Sequence, residues 1–320
     1  MNKQNEENYK IPEDIENKQE LKISNKENEN RKGSKKIFAV IYLILLTIIL
    51  ASTIYIINFI SQIKEVNEQR NLLNTIDIDE NILAKSNQDK IKEETNSNAI
   101  NTSEQDTNQL EENKQNKEKI ETERMLQVKT LKQENPDIIG WLEIKGTTVS
   151  YPVLQGTDNE YYMNHNYKKE KSRNGSIFLS KDYNWNIPSS NLLIYGHNLQ
   201  NGTMFQELLK YSSENFYKEH PVINFATENE DAEYEIISVF KSRVYYKSEK
   251  NVFRYYYFIN AETEAEYNEF VENAKKESLY NIDATAKYGE QLITLSTCSY
   301  HVKDGRFAVV GRKISNSQDN

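Results

Sequence analysis

From Ile37 to Ile60 the chain reads IFAVIYLILLTIILASTIYIINFI, without a charged residue. As a helix rising 1.5 Å per residue, this run spans about 36 Å, enough to cross a hydrocarbon core of about 30 Å with some tilt. A helix on the core of a soluble protein keeps a polar stripe, and this one has none. A cleaved signal sequence fits poorly, because its apolar part is shorter, sits nearer the start and ends in a small-residue cleavage site. The run is therefore read as one transmembrane helix. Arg31, Lys32, Lys35 and Lys36 crowd its N-terminal side, against Lys64 and Arg70 beyond it. That asymmetry keeps the N-terminus in the cytoplasm and puts the rest of the chain outside.

The span divides the remaining sequence unevenly. Residues 1–36 are polar and charged, with few groups able to form a core, and read as a disordered cytoplasmic tail. Residues 61–118 are rich in Asn, Gln, Glu, Lys and Ser and read as a solvated extracellular tether. Near the membrane, Leu72, Leu73, Ile76, Ile82 and Leu83 are enough for a short helix only. The folded domain is expected over 119–315, with 316–320 as a short tail. The net charge of −9 argues against a nucleic-acid partner, whose binding face would be basic.

Within the domain, Met125, Val128 and Leu131 recur at helical spacing, and that helix ends before Pro136. Beyond it the chain is mostly short runs of β-branched and aromatic residues bounded by turn residues: GWLEI, TVSYPVL, GSIFLS, NLLIYGH, AEYEIISVF, KSRVYY, QLITLSTC and RFAVVGRKI. Many short strands without regular helices between them point to a mainly β fold, a closed barrel of about eight strands. One late helix interrupts, with Tyr267, Phe270, Val271 and Ala274 on one face.

The only cysteine, Cys298, ends the apolar run LITLSTC. A single cysteine forms no internal disulfide, and is either an apolar filler or a reactive thiol. Strand alternation puts Ser296, Thr294 and Leu292 on its face. Asp304-Gly305 reads as a turn that sends the chain back, so Arg306 begins the return strand beside the thiol. A nearby cation favours the thiolate. His197 also follows an apolar run, in LLIYGHNLQNGTMF, and precedes a polar loop. Cysteine, histidine and arginine together supply a nucleophile, a proton carrier and an oxyanion donor. Spacing alone does not bring His197 to Cys298; each of the four histidines taken singly reads first as structural, and Cys298 alone reads equally as a core residue.

The segment TLSTCSYHVKDGR resembles the Leu-Ser-Thr-Cys signature of sortases with the arginine of their return strand. YGHN…NGTMF resembles the sortase histidine segment, and NPDIIGWLEIKGTTVSYPVLQGTDNEYYMNHNY and SRNGSIFLS resemble the family's first strands. The likeness runs in order from about residue 125 to 314. The short loop between cysteine and arginine, the N-terminal helix and the helix before the cysteine strand resemble class B. The resemblance implies Cys298 as nucleophile, His197 as its acid–base partner and Arg306 as donor to the carbonyl or oxyanion. Ser296 and Thr297 are candidates to line the substrate groove, or else ordinary strand positions. His165 and His301 are not expected in the chemistry. Sortases often carry Asp directly after the IFL run, where this chain has Ser180, with Asp182 two places on.

The resemblance further implies a membrane-anchored cysteine transpeptidase on the outer face of a Gram-positive-like bacterium. It would cleave a C-terminal sorting motif after Thr and hold the protein as a thioester. An amine of a peptidoglycan precursor or cross-bridge would then take it. No metal or other cofactor is expected. Two other readings stay open at this point: a cysteine peptidase that resolves the thioester with water, and an inactive sortase-like surface module.

Overall fold

The computed structural model describes residues 13–75, 123–187 and 189–314. Parts of the expected tail and most of the expected tether therefore lie outside the described residues, as does the segment 316–320. The chain divides into two compact units, Met1–Ser61 and Gln62–Asn320. A long helix α1 (Glu13–Thr75) carries the apolar run in its part within the first unit, with Ile37, Leu43, Ile49 and Ile57 all exposed. It is long and apolar enough to cross a membrane. The helix extends beyond the expected span on both sides, through Lys- and Glu-rich sequence that favours helix.

The second unit is a closed eight-stranded barrel with helices packed on it. Helix α2 (Glu123–Glu134) leads into β1 (Ile138–Glu143), β2 (Ser150–Leu154), β3 (Ile177–Leu179) and β4 (Asn191–Tyr195). Helix α3 (Glu214–Glu219), β5 (Val222–Ala226) and the long β6 (Asp231–Arg243) come next. Helix α4 (Glu264–Lys276), β7 (Leu292–Cys298) and β8 (Gly305–Lys313) complete it. Around the barrel the order is β1-β2-β3-β4-β7-β8-β6-β5, closed by β5 on β1. The pairs β2–β3 and β4–β7 are parallel.

Alternation along the strands builds two layers of apolar packing. Tyr151, Val153, Ile177, Ile194, Ile293, Leu295 and Val309 belong to one buried cluster, which fills the barrel. Leu193, Leu292, Ala308 and Val310 belong to a second, under α4 and the aromatic segment around Tyr255. Helix α4 buries Tyr267, Phe270, Val271 and Ala274, the face expected from sequence. Its N-cap Thr263 accepts from the Glu266 N–H, and the Glu266 carboxylate accepts from the Glu262 N–H, a reciprocal cap. Because β7 is covered on both sides, six consecutive residues from Leu292 to Thr297 are buried.

Two details of the strand reading change. AEYEIISVF and the start of KSRVYY form one strand, β6, which stops at Arg243. Its neighbour β8 begins opposite, with Gly305 paired to Arg243, so Val244 and Tyr245 have no strand to join. The strand β5 is an addition to the expected set.

Packing of the second unit also begins earlier than residue 119. Val66 is fully buried, and Gln69 and Leu72 are nearly so. Asn174 Nδ2 donates to the Gln62 carbonyl at 3.1 Å, and Lys168 pairs with Glu68. Burial of a valine is worth about 1.5–3 kcal/mol. A fragment starting at Glu118 is therefore expected to melt roughly 3–12 °C below one that keeps Gln62 onward. Equal melting temperatures in a calorimetric comparison would show that the 62–75 segment adds nothing.

Candidate active site

The parallel pairing of β4 with β7 sets the register at the site: Tyr195 lies opposite Ser296. The same alignment continues past the strand ends. The Gly196 N–H donates to the Ser296 carbonyl at 3.2 Å, and Thr297 Oγ1 donates to the Gly196 carbonyl at 2.7 Å. Asn198 Nδ2 donates to the Cys298 carbonyl at 2.9 Å. His197 and Cys298 thus emerge side by side from adjacent strands. A Cβ on Gly196 would lie 2.4 Å from Ile177 Cδ1 and 2.7 Å from the Phe205 ring, so only glycine fits before His197.

Arg306 is the cross-strand partner of Cys298 in the antiparallel β7–β8 pair. The turn between them is tight. Asp304 takes the left-handed conformation at φ 56°, and a Cβ on Gly305 would sit 2.1 Å from the Ser299 carbonyl oxygen. Any other residue at 305 would push the two strand ends apart. Among the described residues the guanidinium bonds only within its own turn, Nη1 donating to the Gly305 carbonyl at 3.0 Å and the Asp304 carbonyl at 3.4 Å. Among the described residues no carboxylate pairs with it. Most of its five donors remain available to something else in the cavity.

Cys298, His197 and Arg306 line one small cavity of about 170 Å³, together with Ser296, Thr297, Asn159, Met163, Phe178, Tyr195 and Gly196. The cysteine and the histidine are half-buried. His197 Nε2 lies 2.7 Å from the Met163 carbonyl. A carbonyl only accepts, so Nε2 carries the hydrogen and Nδ1 is the basic nitrogen. Ser296 Oγ and the buried Tyr255 hydroxyl are 2.8 Å apart, which ties β7 to the aromatic segment above it. Burial pushes the Tyr255 hydroxyl well above its ordinary pKa, while the bond to Ser296 and the Arg306 charge pull the other way. Burial, then the charge of Asp182, push Tyr195 up to about 12 against the pull of Arg306. Both stay neutral near pH 7.

The other histidines stand elsewhere. His165 stacks flat on Tyr161 at 3.9 Å, and its Nδ1 bonds the Tyr161 carbonyl at 2.8 Å. His220 Nδ1 bonds the Lys145 carbonyl at 2.9 Å. His301 is exposed, with Nδ1 2.9 Å from Ser299 Oγ. Partial desolvation and then the Lys241 charge hold its pKa below the usual imidazole value. Asp182 does not line the cavity; it pairs with Lys181 at 2.6 Å. Asn159, Met163, Phe178, Tyr195 and Tyr255 were not singled out from sequence. No spacing marks them, since each reaches the site from a different loop or strand. Among the described residues no group of three or more His, Cys, Asp or Glu side chains is placed to hold a metal ion.

A thiol, an imidazole and a guanidinium that no carboxylate claims among the described residues thus line one cavity at one end of a closed barrel. The Sortase domain family model matches residues 142–314, and the chain belongs to the sortase family. Its relatives place it in class B. Sortase B of Listeria monocytogenes is 34% identical over 195 residues, covering 59% of this chain and 74% of the relative. Sortase B of Staphylococcus aureus is 31% identical over 190 residues, covering 59% and 75%. A solved Staphylococcus aureus sortase B–substrate complex superposes with a TM-score of 0.53 at 30% identity, covering 60% of this chain and 87% of that one. Sortases are cysteine transpeptidases, so the class of activity follows from membership.

Proposed function

We propose that this sortase joins surface proteins to the cell wall, with Cys298, His197 and Arg306 as its catalytic set. The Cys298 thiolate attacks the Thr carbonyl carbon of a C-terminal sorting motif. The resulting oxyanion is held by Arg306 N–H donors. As it collapses, the Thr–X peptide bond breaks and His197 gives a proton to the leaving amine. The protein is left on Cys298 as a thioester. An acceptor amine, losing its proton to His197 Nδ1, attacks that thioester. A new amide forms and the Cys298 thiolate is released, which restores the starting pair of thiolate and protonated His197. The energy of the peptide bond is kept in the thioester, so the product is a ligated protein.

The observation that carries this reading is the pairing of Cys298 with an arginine that, among the described residues, no carboxylate claims. Substrate engagement by a relative supports it: the Staphylococcus aureus neighbour was solved as a substrate complex. The acceptor is read as an amine of a peptidoglycan precursor or cross-bridge. The long apolar helix anchors the chain in the membrane, with the N-terminus cytoplasmic and the barrel outside. The test is incubation of the full chain in detergent with a library of sorting peptides and excess triglycine, followed by mass spectrometry. Ligated peptide–triglycine is expected. Hydrolysed peptide alone, at every amine concentration, would instead make the protein a cysteine peptidase, and no turnover at all an inactive module.

Arg306→Lys separates charge from geometry. Lysine keeps the positive charge but lacks the planar fork of donors. Loss of an oxyanion donor typically costs about 10²–10³ in rate. Transpeptidation by Arg306→Lys is expected to fall by about that factor, while alkylation of Cys298 stays near the wild-type rate. A parallel fall in alkylation would make tuning of the thiol the main role.

A further inference from the structure

A second cavity, of about 740 Å³, adjoins the site and has no part in the chemistry above. The two are linked at Asn159, which lines the smaller cavity and whose Oδ1 accepts from the Lys181 N–H at 2.8 Å. Lys181 lines the larger one. The volume lies in the ordinary range for small-ligand sites.

Every charged side chain lining this cavity already has a partner. Lys169 pairs with Asp137 at 2.9 Å and Lys181 with Asp182 at 2.6 Å. The Asp158 carboxylate accepts from the Glu160 and Tyr161 N–H groups at 2.8 and 2.7 Å. An ionic ligand would have to break one of these arrangements; a neutral ligand would not. What remains is an aromatic surface and a border of amide groups, of which the Asn184 Oδ1 accepts from the Asn186 N–H at 2.9 Å. Trp185 is 48% exposed, yet it is held in place. Its Nε1 donates to Gln155 Oε1 at 2.8 Å. Gln155 in turn donates to the Ser180 and Tyr183 carbonyls, both at 2.9 Å. The Tyr183 ring packs edge-on against the indole at 4.8 Å. A large apolar ring fixed in a wet cavity loses no rotamer freedom when a ligand covers it, which is the energetic case for a preformed platform. Asn184 and Asn186 border it with side-chain amides.

A neutral ligand with one apolar face and a rim of hydroxyl and amide groups fits these features, and that is the chemistry of a pyranose ring. We propose that the Trp185 cavity is a carbohydrate subsite that holds the saccharide part of the amine-bearing acceptor. This rests on the reading of the acceptor as a cell-wall amine. Anchoring the sugar beside the catalytic cavity raises the local concentration of the amine at the thioester, without adding a contact to the reacting atoms.

The experiment uses the full chain in a detergent without a sugar headgroup, and N-acetylglucosamine trisaccharide as the probe. The chain has two tryptophans, and Trp141 is only 1% exposed, so a change in emission on adding saccharide reports Trp185. Transfer is then measured to triglycine and to triglycine linked to the same trisaccharide. The wild type is expected to show a saturable emission change and a lower KM for the linked acceptor. Trp185→Ala should raise that KM about tenfold, leaving kcat and transfer to plain triglycine unchanged. Trp185→Phe, which keeps a ring, should retain most of the preference. The subsite is overturned if wild type transfers to triglycine but shows neither emission change nor preference. It is equally overturned if Trp185→Ala, still active on triglycine, keeps the wild-type KM for the linked acceptor. Absence of transfer to any amine would overturn the transpeptidase reading instead, and an emission change would then still show the saccharide bound.

Discussion

Cys298→Ala is expected to give a folded protein that forms no thioester and transfers nothing. The thiol is half-buried at the end of β7, and its removal opens no space inside the barrel cluster, to which Cys298 does not belong. Circular dichroism and melting temperature should match the wild type. Since the chain has no other cysteine, thiol-directed labelling should vanish with turnover. Any turnover in this variant would remove Cys298 from the mechanism and the transpeptidase reading with it.

The next largest effect is expected at His197. Proton transfer by a placed side chain typically contributes about 10²–10⁴-fold. His197→Ala should lose turnover on that scale, whereas His165→Ala and His301→Ala should keep most of it. The contrast with His301 is informative, because it lies closest to Cys298 along the chain but is exposed and bonded to Ser299 Oγ. A comparable loss there would mean that the loop histidine, not His197, moves the proton.

Much of the barrel was legible because its strands are short β-branched and aromatic runs bounded by turn residues. The strand ending in Cys298 and the return strand that carries Arg306 are joined by a turn that sequence can show, and the register does pair the two residues. What sequence could not show was lateral order. Nothing in NLLIYGHN says that β4 lies parallel to a strand about a hundred residues later, which is what brings His197 beside Cys298. The strand β5 is hard to read because VINFA is short and interrupts its apolar run with Asn224. The Tyr-rich stretch after Arg243 misled for the opposite reason. Its residues favour strand, but no neighbour extends that far to receive them. Among the cavity residues, Asn159 and Met163 come from loop and 3₁₀ turn, where no periodicity operates.

The position of β7 also has a bearing on how the protein is made. It lies between β4 and β8, and β8 in turn joins β7 to β6. Until the last two strands are made, β4 and β6 are open edges, with unpaired N–H and C=O groups able to pair with other chains. The pairing that closes the gap spans about a hundred residues of intervening chain, so its loop-closure entropy must be met before any contact rewards it. Cys298 is thus delivered by the event that seals the barrel. A chain that has not yet made its last two strands therefore exposes two pairing edges and lacks the cavity that Cys298, His197 and Arg306 line.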